Sequence, residues 1–351
     1  MAILLERNNT SGRREDLADL ISLVDAKDTP FTSMAKKGAQ PGNVLFRWQA
    51  DSLPEPRTTG IMDGTDVNLA TDAENYVKDT VGGVTKVYRA ELSNYIQLFR
   101  RTVRVSKLTT NAVTNIAGVK SELANNVQKG IKAIKRDIEK TLCGTNGAQA
   151  EAVAGGVSSP YLTRGLDKWI STAANKDTTL PVPDAFCTPA GSILAAAGGH
   201  STANLDEVKV QDVLQSMFEQ SGQFQDLDLL GGTKLKRAFT NLLYTTKGES
   251  DDSQSVIRTL NRDSDSNVYR STVDVFEGDF GRLRIHVSQF LKNSFSGYII
   301  PFDMVEIKYG GQVAEVTELP DYGGGPARNI EAVLALCVHN PLAFGKFDFT
   351  A

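Results

Sequence analysis

Seven apolar residues recur at a spacing that only an α-helix brings to one side. Ile116, Leu123, Val127, Ile131, Ile134, Ile138 and Leu142 lie seven, four, four, three, four and four positions apart, a one-sided stripe at the 3.6-residue turn. The spacing predicts a helix over 111–143, closed by Gly144, where glycine accepts the backbone conformation that ends a helix. At about 1.5 Å per residue it spans roughly 45 Å, long for a globular protein. Its other side carries Lys120, Lys129, Lys132, Lys135, Arg136 and Lys140, with Glu122, Asp137 and Glu139 interspersed, and reads as a solvated face.

Before this helix the period changes to two. Val44, Phe46 and Trp48 alternate as in a strand, and the return path from Tyr76 to Val105 is rich in β-prone residues. Between them stand Pro54, Pro56, Gly60, Asp63, Gly64 and Asp66, turn formers that leave little continuous apolar sequence. Such an excursion is poorly stable alone. A partner subunit is its natural support, and these six residues are the candidate contact. Ahead of it, Leu17, Leu20, Ile21 and Val24 suggest a short amphipathic helix broken at Asp28-Thr-Pro30, packed either on its own domain or on a neighbour.

After Gly144 the sequence to 204 is rich in Gly, Ala, Ser, Thr and Pro, with a short helix expected near Leu162 to Ile170. Asp206 precedes a helix with Val210, Val213, Leu214, Met217 and Phe218 on one face and Gly222 past its end. Leu227 to Leu230 reads as a strand and Thr233 to Leu243 as a helix, the alternation of an α/β domain. Residues 247–270 are polar and predict a surface loop. From Val273 onward strands dominate, with a turn at Gly323-Gly-Gly-Pro326, and an antiparallel meander is expected. The class is α+β.

Residues that would carry chemistry are scarce. The net charge of −4 provides no strong positive field for nucleic acid. Cys143, Cys187 and Cys337 are far apart without C-x-x-C spacing, against both a disulfide framework and a zinc site. His200, His286 and His339 make no helical metal pair, and no G-x-S-x-G surrounds a serine. Gly231-Gly-Thr-Lys234 lacks the frame of a phosphate loop and reads as a turn before a helix. Asp251 with Asp252, and Asp263 with Asp265, fall in the polar loop as solvated charges. No catalytic, cofactor-binding or metal-ligating residue is assigned. The opening residues form too short an apolar run for a signal peptide, and no stretch reaches the roughly 20 apolar residues of a membrane helix.

Short strings then point to a family. Val103-Arg-Val-Ser106, Lys135-Arg-Asp-Ile-Glu139, Val275-Phe-Glu-Gly-Asp-Phe-Gly281 with Leu283-Arg-Ile-His-Val287, Asp303-Met-Val-Glu-Ile307 and Asn340-Pro-Leu-Ala343 resemble, in this order, the SU-ten-like major head proteins of tailed bacteriophages. Each string is weak alone; their order along most of the chain carries the likeness. The resemblance implies a Hong Kong 97 type capsid fold. It makes 1–41 an N-terminal arm, 42–105 an extended hairpin called the E-loop, and 106–200 the spine helix with part of a peripheral domain. It makes 201–315 an axial domain and 316–351 the returning peripheral strands. It further implies hexamers and pentamers tiling an icosahedral head around double-stranded DNA, with no sequence-specific DNA contact, cofactor or membrane. The place would be the virion capsid, assembled in the bacterial host cytoplasm. A long charged helical prefix is absent, so scaffolding is expected from a separate protein, alongside portal and decoration proteins. The alternatives are an encapsulin-like nanocompartment shell and a soluble α+β enzyme.

Overall fold

The computed structural model describes residues 29–349, apart from 55, 57, 59, 69–73, 82–83, 113–120, 155–156, 197–204, 222–224, 243–273 and 312. Ile116, His200, most of the expected arm, the loop 247–270 and both aspartate pairs therefore lie outside the described residues. The chain forms two compact units. The strand Ala327–Val338 and the helix Glu122–Leu142 contribute residues to both.

The first unit holds Arg100–Ile134 and Ala314–Glu331. Its sheet has Ala327–Glu331 in the centre, flanked by Glu315–Leu319 in antiparallel register and by the strand that ends at Arg104. That last strand, Gln97–Arg104, was expected inside the extended excursion. It pairs with Ala327–Val338, and Val103, on its apolar side, faces the long helix at Gly130. Across this sheet lies the first half of the long helix. A Cβ on Gly130 would collide with the Ile330 side chain and come 3.3 Å from Val103. Glycine in mid-helix costs about 1 kcal/mol relative to alanine, and here it allows helix and sheet to close. The turn after Leu319 is fixed by Asp321, whose Oδ1 accepts from Gly323 N at 2.9 Å and Gly325 N at 3.2 Å. Both glycines have positive φ, 94° and 116°.

The second unit holds Asp28–Phe99, Lys135–Val313 and Ala332–Ala351. Its six-stranded sheet runs Val275–Gly278, Gly281–Val287, Gln225–Gly231, Gly297–Ile300, Gly345–Asp348, Ile193–Ala195. The helices Glu207–Ser221 and Thr233–Asn241 bury Val210, Val213, Leu214, Met217, Leu235 and Phe239 in one core with Leu229, Leu283, Ile299 and Phe347. These are the helices and the strand that the sequence predicts.

The single antiparallel meander is corrected. Gln225–Gly231 inserts between Gly281–Val287, to which it is parallel, and Gly297–Ile300, to which it is antiparallel. Val305–Tyr309 joins another sheet, antiparallel to Ala327–Val338 and parallel to Lys36–Gly38. Gly345–Asp348, near the chain's end, returns to the six-stranded sheet. Period and composition report which residues are buried, and a central strand with both faces covered leaves no mark of its neighbours.

The long helix spans Glu122–Leu142, 21 residues, preceded by the short helix Lys107–Ala112. Leu123, Val127 and Ile131 are half-buried; Ile134, Ile138 and Leu142 are fully buried. Lys129, Lys132, Lys135 and Lys140 are exposed as expected. Glu139, placed on the solvated face by the sequence, is fully buried. Its two oxygens accept from Phe31 N at 2.8 Å and Thr32 N at 2.9 Å, two N–H groups that open the helix Pro30–Met34 and have no partner within it. Burial raises the carboxyl's pKa against the lowering effect of these hydrogen bonds. A charged residue thus turns inward because a helix end needs an acceptor there.

Candidate assembly surface

The excursion is rooted in the second unit by a seven-residue ladder, Leu45–Asp51 against Arg89–Tyr95. Alternate residues Phe46, Ala50, Ala90, Leu92 and Asn94 point inward, as the period of two requires. Arg89 pairs with Asp51 directly opposite it at 2.6 Å, and Arg47 with Glu91 at 2.6 Å. The root is bonded to Ala327–Val338: Trp48 Nε1 donates to Val338 O at 3.0 Å, and Asn94 Nδ2 to Leu336 O at 2.7 Å. Phe46 and Trp48 stack at 5.3 Å between centroids, and Trp48 meets Trp169 at 5.5 Å. A small second hairpin, Lys78–Val81 with Val84–Val87, lies on the return path.

Beyond the ladder the chain exposes what a folded monomer buries. Leu53, Ile61, Met62 and Val67 are 89%, 88%, 82% and 75% exposed. Scattered apolar residues are ordinary on a surface, but four so exposed on one loop make it the candidate contact. The residues chosen from sequence sit among them. Pro56, Gly60, Asp63, Gly64 and Asp66 are exposed and Pro54 is half-buried. Asp63 and Gly64 form a turn closed by Thr65 N to Met62 O at 3.3 Å, with Gly64 at φ +79°. Sequence reasoning found the turn formers and missed the four apolar side chains, whose signal is apolar residues without helical or strand period in a Pro- and Gly-rich span.

One charged cleft competes for attention. Of about 440 Å³, it is lined by Asp167, Lys292, Lys346 and Asp348, among others. Lys346 Nζ lies 2.8 Å from Asp167 and 3.1 Å from Asp348, and Lys292 Nζ lies 2.7 Å from Asp348. Burial alone would lower the Lys292 pKa; its bonds to Asp348 and the charge of Asp167 raise it instead. Lys292 and Lys346 are thus tied to Asp167 and Asp348 in one ion-pair network, and Lys168 and Lys176 line the same cleft.

The SU10 major capsid protein family model matches residues 5–350. The chain belongs to that family. That family is one of structural major capsid proteins and not of enzymes. The major capsid protein of Escherichia phage Phieco32 is 29% identical over 206 residues, a match that spans 57% of this chain and 49% of that relative. The structure from Mycobacterium phage Cain has a TM-score of 0.56 at 15% identity, covering 100% of this chain and 99% of the other. The capsid structure of the cyanophage P-SCSP1u has a TM-score of 0.56 at 11% identity, covering 98% and 96%. These likenesses establish a Hong Kong 97 type fold of class α+β.

In a capsid subunit the remaining reactive groups take structural places. Cys143, Cys187 and Cys337 are free and buried; burial pushes the Cys337 thiol up to about 12 and that of Cys143 well above its ordinary value. Thiols so protonated are poor nucleophiles. His286 Nε2 contacts Asp228 Oδ1 at 3.0 Å, and His339 Nε2 contacts Glu306 Oε1 at 3.2 Å, partly exposed pairs on two sheets. Among the described residues no group of His, Cys, Asp and Glu could hold a metal, and no helix is long and apolar enough to cross a membrane.

Proposed function

We propose that the subunit self-assembles into hexamers and pentamers of an icosahedral head that encloses packaged double-stranded DNA. Its E-loop tip would lie on a neighbouring copy. The observation that carries this is the pairing of a rigid root with an uncovered apolar tip: Trp48 and Asn94 bond the ladder to the body, while Leu53, Ile61, Met62 and Val67 remain exposed. A loop held at its base and apolar at its end is preorganised for contact and loses little freedom on docking. Pro54, Pro56, Gly60, Asp63, Gly64 and Asp66 shape that tip. The modest net charge of −4 suits a wall that encloses DNA without binding its sequence. On this reading scaffolding, portal and decoration proteins are separate partners, and assembly takes place in the bacterial host cytoplasm. By the same reading, 1–41 is the N-terminal arm, 106–200 contains the spine helix, 201–315 is the axial part and 316–351 returns through the peripheral strands.

Limited proteolysis tests the tip. In dissociated subunits a broad-specificity protease is expected to cut within 52–77, and assembled shells are expected to slow that cleavage by about tenfold or more. Equal rates in the two states would remove the tip from the assembly contact.

A further inference from the structure

The sheet of the first unit has two outer edges of opposite charge. Its order is the strand ending at Arg104, then Ala327–Glu331, then Glu315–Leu319. Among the described residues neither outer strand pairs with a further strand. Such edges present open N–H and C=O groups, and folded proteins charge them or cover them. One edge here carries Arg100 and Arg104, the other Glu315 and Glu318, all exposed.

Part of this charge is satisfied within the subunit. Arg100 Nε meets Glu331 Oε1 at 2.6 Å, and Glu318 pairs with Arg328. Two groups are left over. Glu315 stands in register opposite Glu331, a placement in which like charges repel. Glu331 is already held by Arg100 and by Asn329 Nδ2 at 2.7 Å, so Glu315 faces a carboxylate and makes no ion pair among the described residues. Arg104 likewise makes none. It shares its side of the strand with Arg100 and Thr102 by the period of two, and Thr102 Oγ1 contacts Asn329 at 3.3 Å. One face of the sheet therefore grades from Arg104 at one edge to Glu315 at the other. A local charge conflict with no internal remedy is a mark of a functional surface.

We propose that the Glu315 edge of one subunit docks on the Arg104 edge of a second copy, a head-to-tail contact that closes into a ring. The inference rests on the shell reading, which brings copies side by side, and adds the surface by which they recognise one another. Charge complementarity selects a second copy because the same face supplies both halves of the pair.

Charge reversal tests it. Glu315→Lys and Arg104→Glu each remove a matched charge and leave every ion pair of the free subunit intact. Each alone is expected to lower the yield of closed shells about tenfold or more in about 0.15 M salt, with circular dichroism and melting of the dissociated subunit unchanged. The double swap in one chain restores the match and is expected to recover the yield. Single variants that assemble like wild type would show that the charges only guard the edges, and a double swap no better than the weaker single variant would likewise overturn the contact. Wild type beside them separates the two readings: if it too forms no shells, the shell reading falls and takes this inference with it.

Discussion

Ile134→Asp is expected to abolish soluble, folded subunit. The side chain is fully buried midway along the long helix, so the substitution removes a packed aliphatic group, worth about 2–5 kcal/mol in comparable truncations, and buries a carboxylate with no partner at a further cost of several kcal/mol. The sum rivals the roughly 5–15 kcal/mol that holds a domain together. Lys132→Ala, on the exposed face of the same helix, should stay within about 0.5 kcal/mol of wild type. Denaturant midpoints of the two purified variants check the contrast. A soluble Ile134→Asp with a wild-type midpoint would show that the buried stripe does not hold the subunit.

Arg164→Ala carries the second large effect. Arg164 and Asp177 have side chains 1% and 5% exposed and lie 3.1 Å apart. The guanidinium sits 4.1 Å from the Trp169 ring centroid and donates to Leu180 O. Burial lowers the Arg164 pKa, and the facing Asp177 works to restore it. Asp177 also accepts from Ala148 N at 2.7 Å and Thr179 N at 3.1 Å, so the pair ties three loop segments together. Removing one partner of a buried ion pair leaves the other uncompensated and costs about 3–5 kcal/mol, whereas replacing both by apolar groups costs far less. Thermal melting of Arg164→Ala beside the double variant Arg164→Met with Asp177→Leu measures the difference. Equal losses would mean that the uncompensated Asp177 charge is not the source.

The contrast between these sites explains what was legible in the sequence. Ile134, Ile138 and Leu142 announce themselves because a helix repeats every 3.6 residues and burial selects for the repeat. The helix after Asp206 and the strand Gln225–Gly231 were visible for the same local reason. Arg164 and Asp177 are 13 positions apart in a loop-rich span, where no period links them. Glu139 shares the charge pattern of its solvated neighbours and departs from it only because Phe31 and Thr32, more than a hundred residues earlier, bring unpaired N–H groups to it. Nothing in the helical period calls for glycine at 130; only Ile330, packed opposite it, does. Strand order was hidden likewise, since pairing across a sheet joins segments that share no local signal. At the candidate surface, Asp63 and Gly64 were readable through turn chemistry. The exposure of Leu53, Ile61, Met62 and Val67 was not, because apolar side chains predict burial.

Electron microscopy of the purified protein under assembly conditions tests most directly whether the chain builds a shell. Uniform closed particles with icosahedral symmetry, resolving into sixfold and fivefold clusters of this one subunit, are the predicted result. A well-folded population that stays monomeric across the concentration and salt range, with no particles in any field, would contradict it.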